Sequence, residues 1–145
     1  MESNVAAAVR TARILKIAFL VSGILFIYVV YTVPVQAQGP TSPAFEMAIA
    51  VVALASVVAG FILPGILRRA AERVSQNKPG STPLSRWMAG NIVGLACFES
   101  CSMFAVMLHF AGGHVRTIEL LFAVGLIALL FWSPGNPPDA EENRG

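Results

Sequence analysis

Charged residues in this chain gather in short stretches, and between them lie four long apolar runs, at about 14–33, 43–67, 86–110 and 115–132. Each comes near the ~20 residues that a helix needs to cross a hydrocarbon core of ~30 Å. The pattern predicts an all-α integral membrane protein with four transmembrane helices, arranged as an antiparallel bundle or as two hairpins. The fourth run is the shortest, so its helix is expected to stand with little tilt or to lean on its flanking residues. Residues 1–133 form the predicted membrane domain. Residues 134–145, with Pro134, Pro137, Pro138, Asp139, Glu141 and Glu142, read as a disordered cytoplasmic tail. Pro79, Gly80 and Pro83 mark 68–84 as a solvated turn region after a frayed helix end.

Composition agrees with that class. Of 145 residues, 56% are hydrophobic and 12% charged, whereas soluble domains carry about 25% charged residues. The lipid bilayer is the first expected partner, with other membrane subunits or further copies of the chain beside it. A net charge of +2 gives no nucleic-acid footprint. Nine of the ten basic residues fall on one side of the predicted topology; only Arg116 falls on the other. The positive-inside rule then places both termini and the central link in the cytoplasm, in a membrane of the bacterial inner type. Trp87 and Trp132 fall at the cytoplasmic ends, Tyr28 and Tyr31 near the opposite one. The Arg-rich start, followed by Val35-Gln36-Ala37 before Gln38, also has the form of a signal peptide. Its apolar stretch exceeds the usual ~7–15 residues of such a segment, which favours a retained helix.

Glu99 stands in the middle of the third run, where a charge costs ~3 kcal/mol on insertion scales. A carboxyl at that depth is kept neutral, paired, or turned towards protein or water, which makes it a functional-site candidate. On one helix, Asn91, Glu99, Ser102 and His109 fall within a sector of about 80°. That stripe is a possible proton path, with Asn91 and His109 towards its two ends. The structural alternative makes Asn91 and Ser102 interhelical hydrogen-bonding groups and His109 an interfacial residue. Gly90, Gly94, Cys97, Cys101 and Ala105 lie on roughly the opposite face. Gly90-x-x-x-Gly94 has the small-residue spacing that lets helix backbones approach closely. Ala48, Ala55, Ser56, Ala59 and Gly60 supply a matching set in the second span, and Pro64 is expected to bend that span near its end.

Other polar residues have simpler readings. Cys97 and Cys101 lack further ligands, so no metal site is expected, and they read as small apolar fillers. Glu46 suits the positive end of a helix. Arg116 and Glu119 are spaced to pair, and Lys16 can snorkel. No catalytic constellation and no cofactor motif are present.

From the second span through the third, the chain resembles the proteolipid (c) subunit of rotary ATP synthases. The resemblance rests on the small-residue helix, the basic link, Pro83-Leu84-x-Arg86, and Phe98-Glu99-Ser100-Cys101-Ser102 within the next helix. It covers about half of the chain and implies an ion-carrying Glu99 supported by Ser100 or Ser102. The second span carries alanines where that family repeats glycines, and no glutamine faces Glu99, which points to a proton rather than Na⁺. Two further helices flank the matching hairpin. The expected function is therefore a proteolipid-like proton-binding subunit of an ion-translocating assembly. The alternative is a non-catalytic accessory subunit that stabilises a larger membrane complex.

Overall fold

The computed structural model of the chain describes residues 2–34, 39, 41–75, 82–135 and 137. Among these it contains four helices, α1 (Glu2–Thr32), α2 (Pro43–Ser75), α3 (Pro83–Phe110) and α4 (Val115–Phe131), and no strand. Two of the helix starts use the same device. Ser42 precedes Pro43, and its Oγ accepts the Phe45 N–H at 3.3 Å; Thr82 precedes Pro83, and its Oγ1 accepts the Ser85 N–H at 3.3 Å. In both, a hydroxyl satisfies an otherwise orphaned donor, and proline fills the first helical position, where no donor is needed. The turn from α3 to α4 depends on Gly112, whose φ of 81° suits glycine. There the Gly113 N–H reaches the Leu108 carbonyl at 2.9 Å and the Gly112 N–H reaches that of His109 at 3.0 Å. This is a Schellman closure, and it sends α4 back along α3.

Three of the helices are long and apolar enough to cross a membrane: Val5–Thr32, Pro43–Leu67 and Pro83–Phe110. The expected fourth span is not among them. α4 has 17 residues, or about 25 Å at 1.5 Å per residue, short of a ~30 Å core. The basic link also differs from expectation, since α2 continues as helix to Ser75. Arg-Ala-Ala-Glu-Arg consists of good helix formers, so the chain has no local reason to unwind where hydropathy falls. The remainder of the expected turn region, 76–81, and the small-residue stretch 35–38 lie outside the described residues, as do 136 and 138–145 of the expected disordered tail. The start of that tail is docked: the Trp87 indole N–H donates to the Gly135 carbonyl at 2.8 Å.

α3 occupies the centre. It packs against all three other helices, most extensively against α2, whereas α1 and α2 scarcely meet. The α2 side is close-packed. A Cβ at Gly94 would lie 3.0 Å from the Gly60 carbonyl oxygen and 3.3 Å from Pro64 Cγ, and one at Gly90 would lie 3.4 Å from Pro64 Cα. The Cys101 thiol donates to the Ala53 carbonyl at 3.2 Å, and the rings of Phe61 and Phe98 sit 4.7 Å apart. Ala53, Val57 and Gly60 are buried, spaced i, i+4 and i+7, while Ala48 and Ala55 are exposed. Of the expected α2 face, Gly60 is at the contact, whereas Ala48 and Ala55 are not: Ala55 lies two positions from Ala53, about 200° around the helix. α2 stays helical through Pro64, which packs against both glycines of α3.

Each end of the bundle is pinned by polar contacts. At the basic end, Lys16 Nζ donates to the Leu130 and Trp132 carbonyls, at 2.9 and 2.7 Å. It thus ties α1 to the last turn of α4, where carbonyls lack helical partners. At the opposite end, the Tyr31 hydroxyl donates to Glu119 at 3.0 Å, so Glu119 pairs with α1 rather than with Arg116. Large apolar side chains cover the outer faces of α1 and α2, including Ile17, Ile24, Val51 and Leu54. Such a surface suits hydrocarbon and not water, and the chain is a multi-pass membrane protein.

Candidate functional site

Glu99 and Ser102 are three residues apart on α3, so their side chains share one face. That face points away from the close-packed α2 contact and into the angle between α1 and α4. Two glycines let those helices close over it. A Cβ at Gly23 of α1 would lie 3.6 Å from Ser102 Oγ, 3.9 Å from Glu99 Oε2 and 3.1 Å from Leu126 Cδ2 of α4. A Cβ at Gly125 of α4 would lie 3.0 Å from Cys101 Cβ and 3.6 Å from Ser102 Oγ. The result is enclosure: Glu99 is 6% exposed and Ser102 0%.

Neither carboxyl oxygen of Glu99 has a hydrogen-bond partner, and neither does Ser102 Oγ. The Ser22 hydroxyl, on α1, approaches the Glu99 carboxyl without closing a hydrogen bond of acceptable geometry. Leaving a buried polar group unsatisfied costs ~1–3 kcal/mol, and more for a charged one. The orphaned atoms thus lie on one face of α3, walled by α1 and α4.

The other expected site residues lie elsewhere. Ser100 is turned about 100° from Glu99 by its position on the helix, and its hydroxyl donates to the Ala96 carbonyl at 2.9 Å. Asn91 is buried with an unpartnered Nδ2, but it lines a separate pocket near the basic end. It stands about 12 Å along the axis from Glu99, with the fully buried Leu95 between them on that face. His109 is at the far end, its Nε2 3.3 Å from the Val33 carbonyl oxygen. The expected proton path is thus three separate polar places on one helix, and the structure brings only Glu99 and Ser102 together. Gly90 and Gly94 sit at the α2 contact. Among the described residues, no group of three or more His, Cys, Asp or Glu side chains could hold a metal ion.

Ser22, Gly23 and Gly125 were not singled out from the sequence, although a signal is present. Gly23 is the one glycine in the first apolar run, Ser22 stands beside it, and Gly125 is the one glycine in the fourth. Glu46 also has more to do than favour a helix end. Its carboxylate accepts from the Thr41 hydroxyl at 3.0 Å, the His114 backbone N–H at 3.0 Å and the Thr117 hydroxyl at 3.3 Å.

No protein-family model matches this sequence, and no curated protein or solved structure matches it either.

Proposed function

We propose that this chain is a small integral membrane subunit in which Glu99 takes up and gives back a proton, within a proteolipid-like ion-translocating assembly. One observation carries the reading: both Glu99 carboxyl oxygens are buried and unpartnered beside an equally unpartnered Ser102 hydroxyl. A structural acid would have its oxygens occupied. A carboxyl that alternates between acid and carboxylate instead needs neighbours that serve both forms, and a hydroxyl does so. A serine hydroxyl can accept from an acid O–H or donate to a carboxylate, and Ser102, unpartnered on the same face, would do either by turning towards the carboxyl. Ser22 offers the same chemistry from α1. The accessory alternative, with Glu99 in an interhelical or intersubunit hydrogen bond, is favoured less: neither carboxyl oxygen has a partner within the chain, and at 6% exposure Glu99 is enclosed.

In this reading α4 completes a fourth crossing, shortened but held upright against α3, and both termini lie on the cytoplasmic side with the basic end. Proton exchange requires α1 to part slightly from α3 and α4 at Gly23. α1 suits that role, because little of its apolar span is buried by the rest of the chain. The test is proton movement by the native assembly reconstituted in vesicles. Glu99→Gln keeps the shape and a hydrogen-bonding amide but cannot titrate, so it should reduce proton movement to background while the assembly still forms; Glu99→Asp should retain part. Full activity in Glu99→Gln would end the proton-carrier reading.

A further inference from the structure

α1 covers one flank of Glu99 and Ser102 at Gly23, and its halves on either side of that glycine are held differently. On the Lys16 side, Ala12 is fully buried. There a single ammonium donates to two carbonyls of α4's end, Leu130 at 2.9 Å and Trp132 at 2.7 Å. On the Tyr31 side, none of residues 24–32 is buried. Phe26, Ile27 and Val30 are half-buried against the core. The polar ties of this half, among the described residues, are both exposed: Tyr31 to Glu119 at 3.0 Å, and the Val33 carbonyl to His109 Nε2 at 3.3 Å. In a bilayer, lipid tails replace apolar contacts at little cost, so polar ties weigh heavily in deciding which half separates.

The joint between the halves is Ser22-Gly23, which includes the one glycine of α1. Glycine weakens a helix interior, and Gly/Ser pairs are among the few places where helices kink sharply. α2 scarcely meets α1, so it does not stand in the way of an outward swing. Beneath the joint, α3 is unequal in the same sense. Towards the Lys16 end, Leu95 is one turn from Glu99 and fully buried, which closes that direction. Towards the Tyr31 end, Val106 is only half-buried, and His109 lies beyond it, about 10.5 Å along the axis from Ser102. We propose that α1 bends at Ser22-Gly23 and that its Tyr31 half lifts from α3. Glu99 and Ser102 then open to water at the Tyr31 end of the bundle while staying closed towards the Lys16 end. The inference rests on the proton-exchange reading for its purpose, and it names the end at which the proton enters and leaves.

The test reads access without using the titration of Glu99. The full chain, with Cys97 and Cys101 replaced by alanine and Ser102→Cys added, is placed in phosphatidylcholine nanodiscs, where both ends meet water. A small charged methanethiosulfonate reagent labels the thiol, and mass spectrometry follows the rate. Tyr31→Phe should speed labelling roughly three- to tenfold, the equilibrium worth of about one hydrogen bond, whereas Lys16→Met should leave it within about twofold. Tyr31 is exposed, so Tyr31→Phe leaves the bundle folded. Hydrogen exchange of the unsubstituted chain supplies a second measurement that does not depend on Ser102→Cys: amides of 24–32 should exchange faster than those of 12–21. The proposal is overturned if Tyr31→Phe labels at the parent rate, if Lys16→Met speeds labelling as much, or if the two halves of α1 exchange alike. Should labelling follow Tyr31 while Glu99→Gln still moves protons, the proton-carrier reading fails and the opening stands. Should proton movement need Glu99 while labelling ignores Tyr31, only the opening fails.

Discussion

Glu46 at the start of α2 and Glu99 in the middle of α3 carry the same functional group at two places in one bundle. Around Glu46 the protein has arranged three donors, drawn from the segment before α2, the α3–α4 turn and α4 itself. Around Glu99 it has arranged glycines and apolar walls, and both carboxyl oxygens are left without a partner. The first acid joins distant pieces of chain, and its ionised form is what the three donors match. The second contributes nothing to cohesion that an apolar side chain would not. Saturation of hydrogen-bonding capacity, more than burial, separates these two carboxyls.

Replacing each acid by methionine, which is similar in length and cannot hydrogen-bond through oxygen, sharpens that contrast. Glu46→Met strands donors at the α3–α4 turn and should cost ~2–3 kcal/mol of stability, read by thermal unfolding in detergent. Crowding the Glu99 site from the α1 side should come next. Gly23→Val forces side-chain atoms against Leu126 and Ser102, and overpacking of this kind costs ~1–3 kcal/mol. A smaller change of opposite sign is expected at the second acid. Glu99→Met removes unsatisfied polar atoms and should raise stability by ~1 kcal/mol. If it lowers the unfolding temperature as much as Glu46→Met does, the two carboxyls are alike and the contrast fails. The smallest effect concerns the tie between α1 and α4. Lys16→Met removes a cation from the carbonyl end of α4 and should cost ~0.5–1 kcal/mol, detectable as earlier release of α1 in hydrogen exchange.

Much of this arrangement was legible in the order of residues. Hydropathy located all four helices, because apolar length is a one-dimensional property. The Gly90-x-x-x-Gly94 spacing pointed to a close contact, and Gly94 does abut the Gly60 carbonyl. Glu99 stood out because a carboxyl in an apolar run has few explanations. What stayed hidden depends on partners far along the chain. Helical angles put Asn91, Ser102 and His109 on the Glu99 face, yet angle alone carries no information on what fills the axial gaps or which helix lies opposite. The covering residues, Ser22 and Gly125, are about a hundred positions apart. The α2 contact stripe was legible only in part, at Gly60, because many small residues fit the same composition, and only the register with α3 adds Ala53 and Val57. Glu46 looked like a helix-end charge, since its donors at His114 and Thr117 are 68 and 71 residues away.

The wall formed by α4 has a consequence for the order in which the protein is made. A chain emerging into the membrane from its first residue presents α1, then the α2–α3 hairpin, and only afterwards the segment that carries Gly125 and Leu126. Until that last segment arrives, Glu99 and Ser102 have an open flank, and Lys16 lacks the carbonyls it will hold. A nascent chain halted after α3 therefore carries the acid but not its enclosure. The compartment around Glu99 is thus completed only after α3, when α4 has been made and returns to α1.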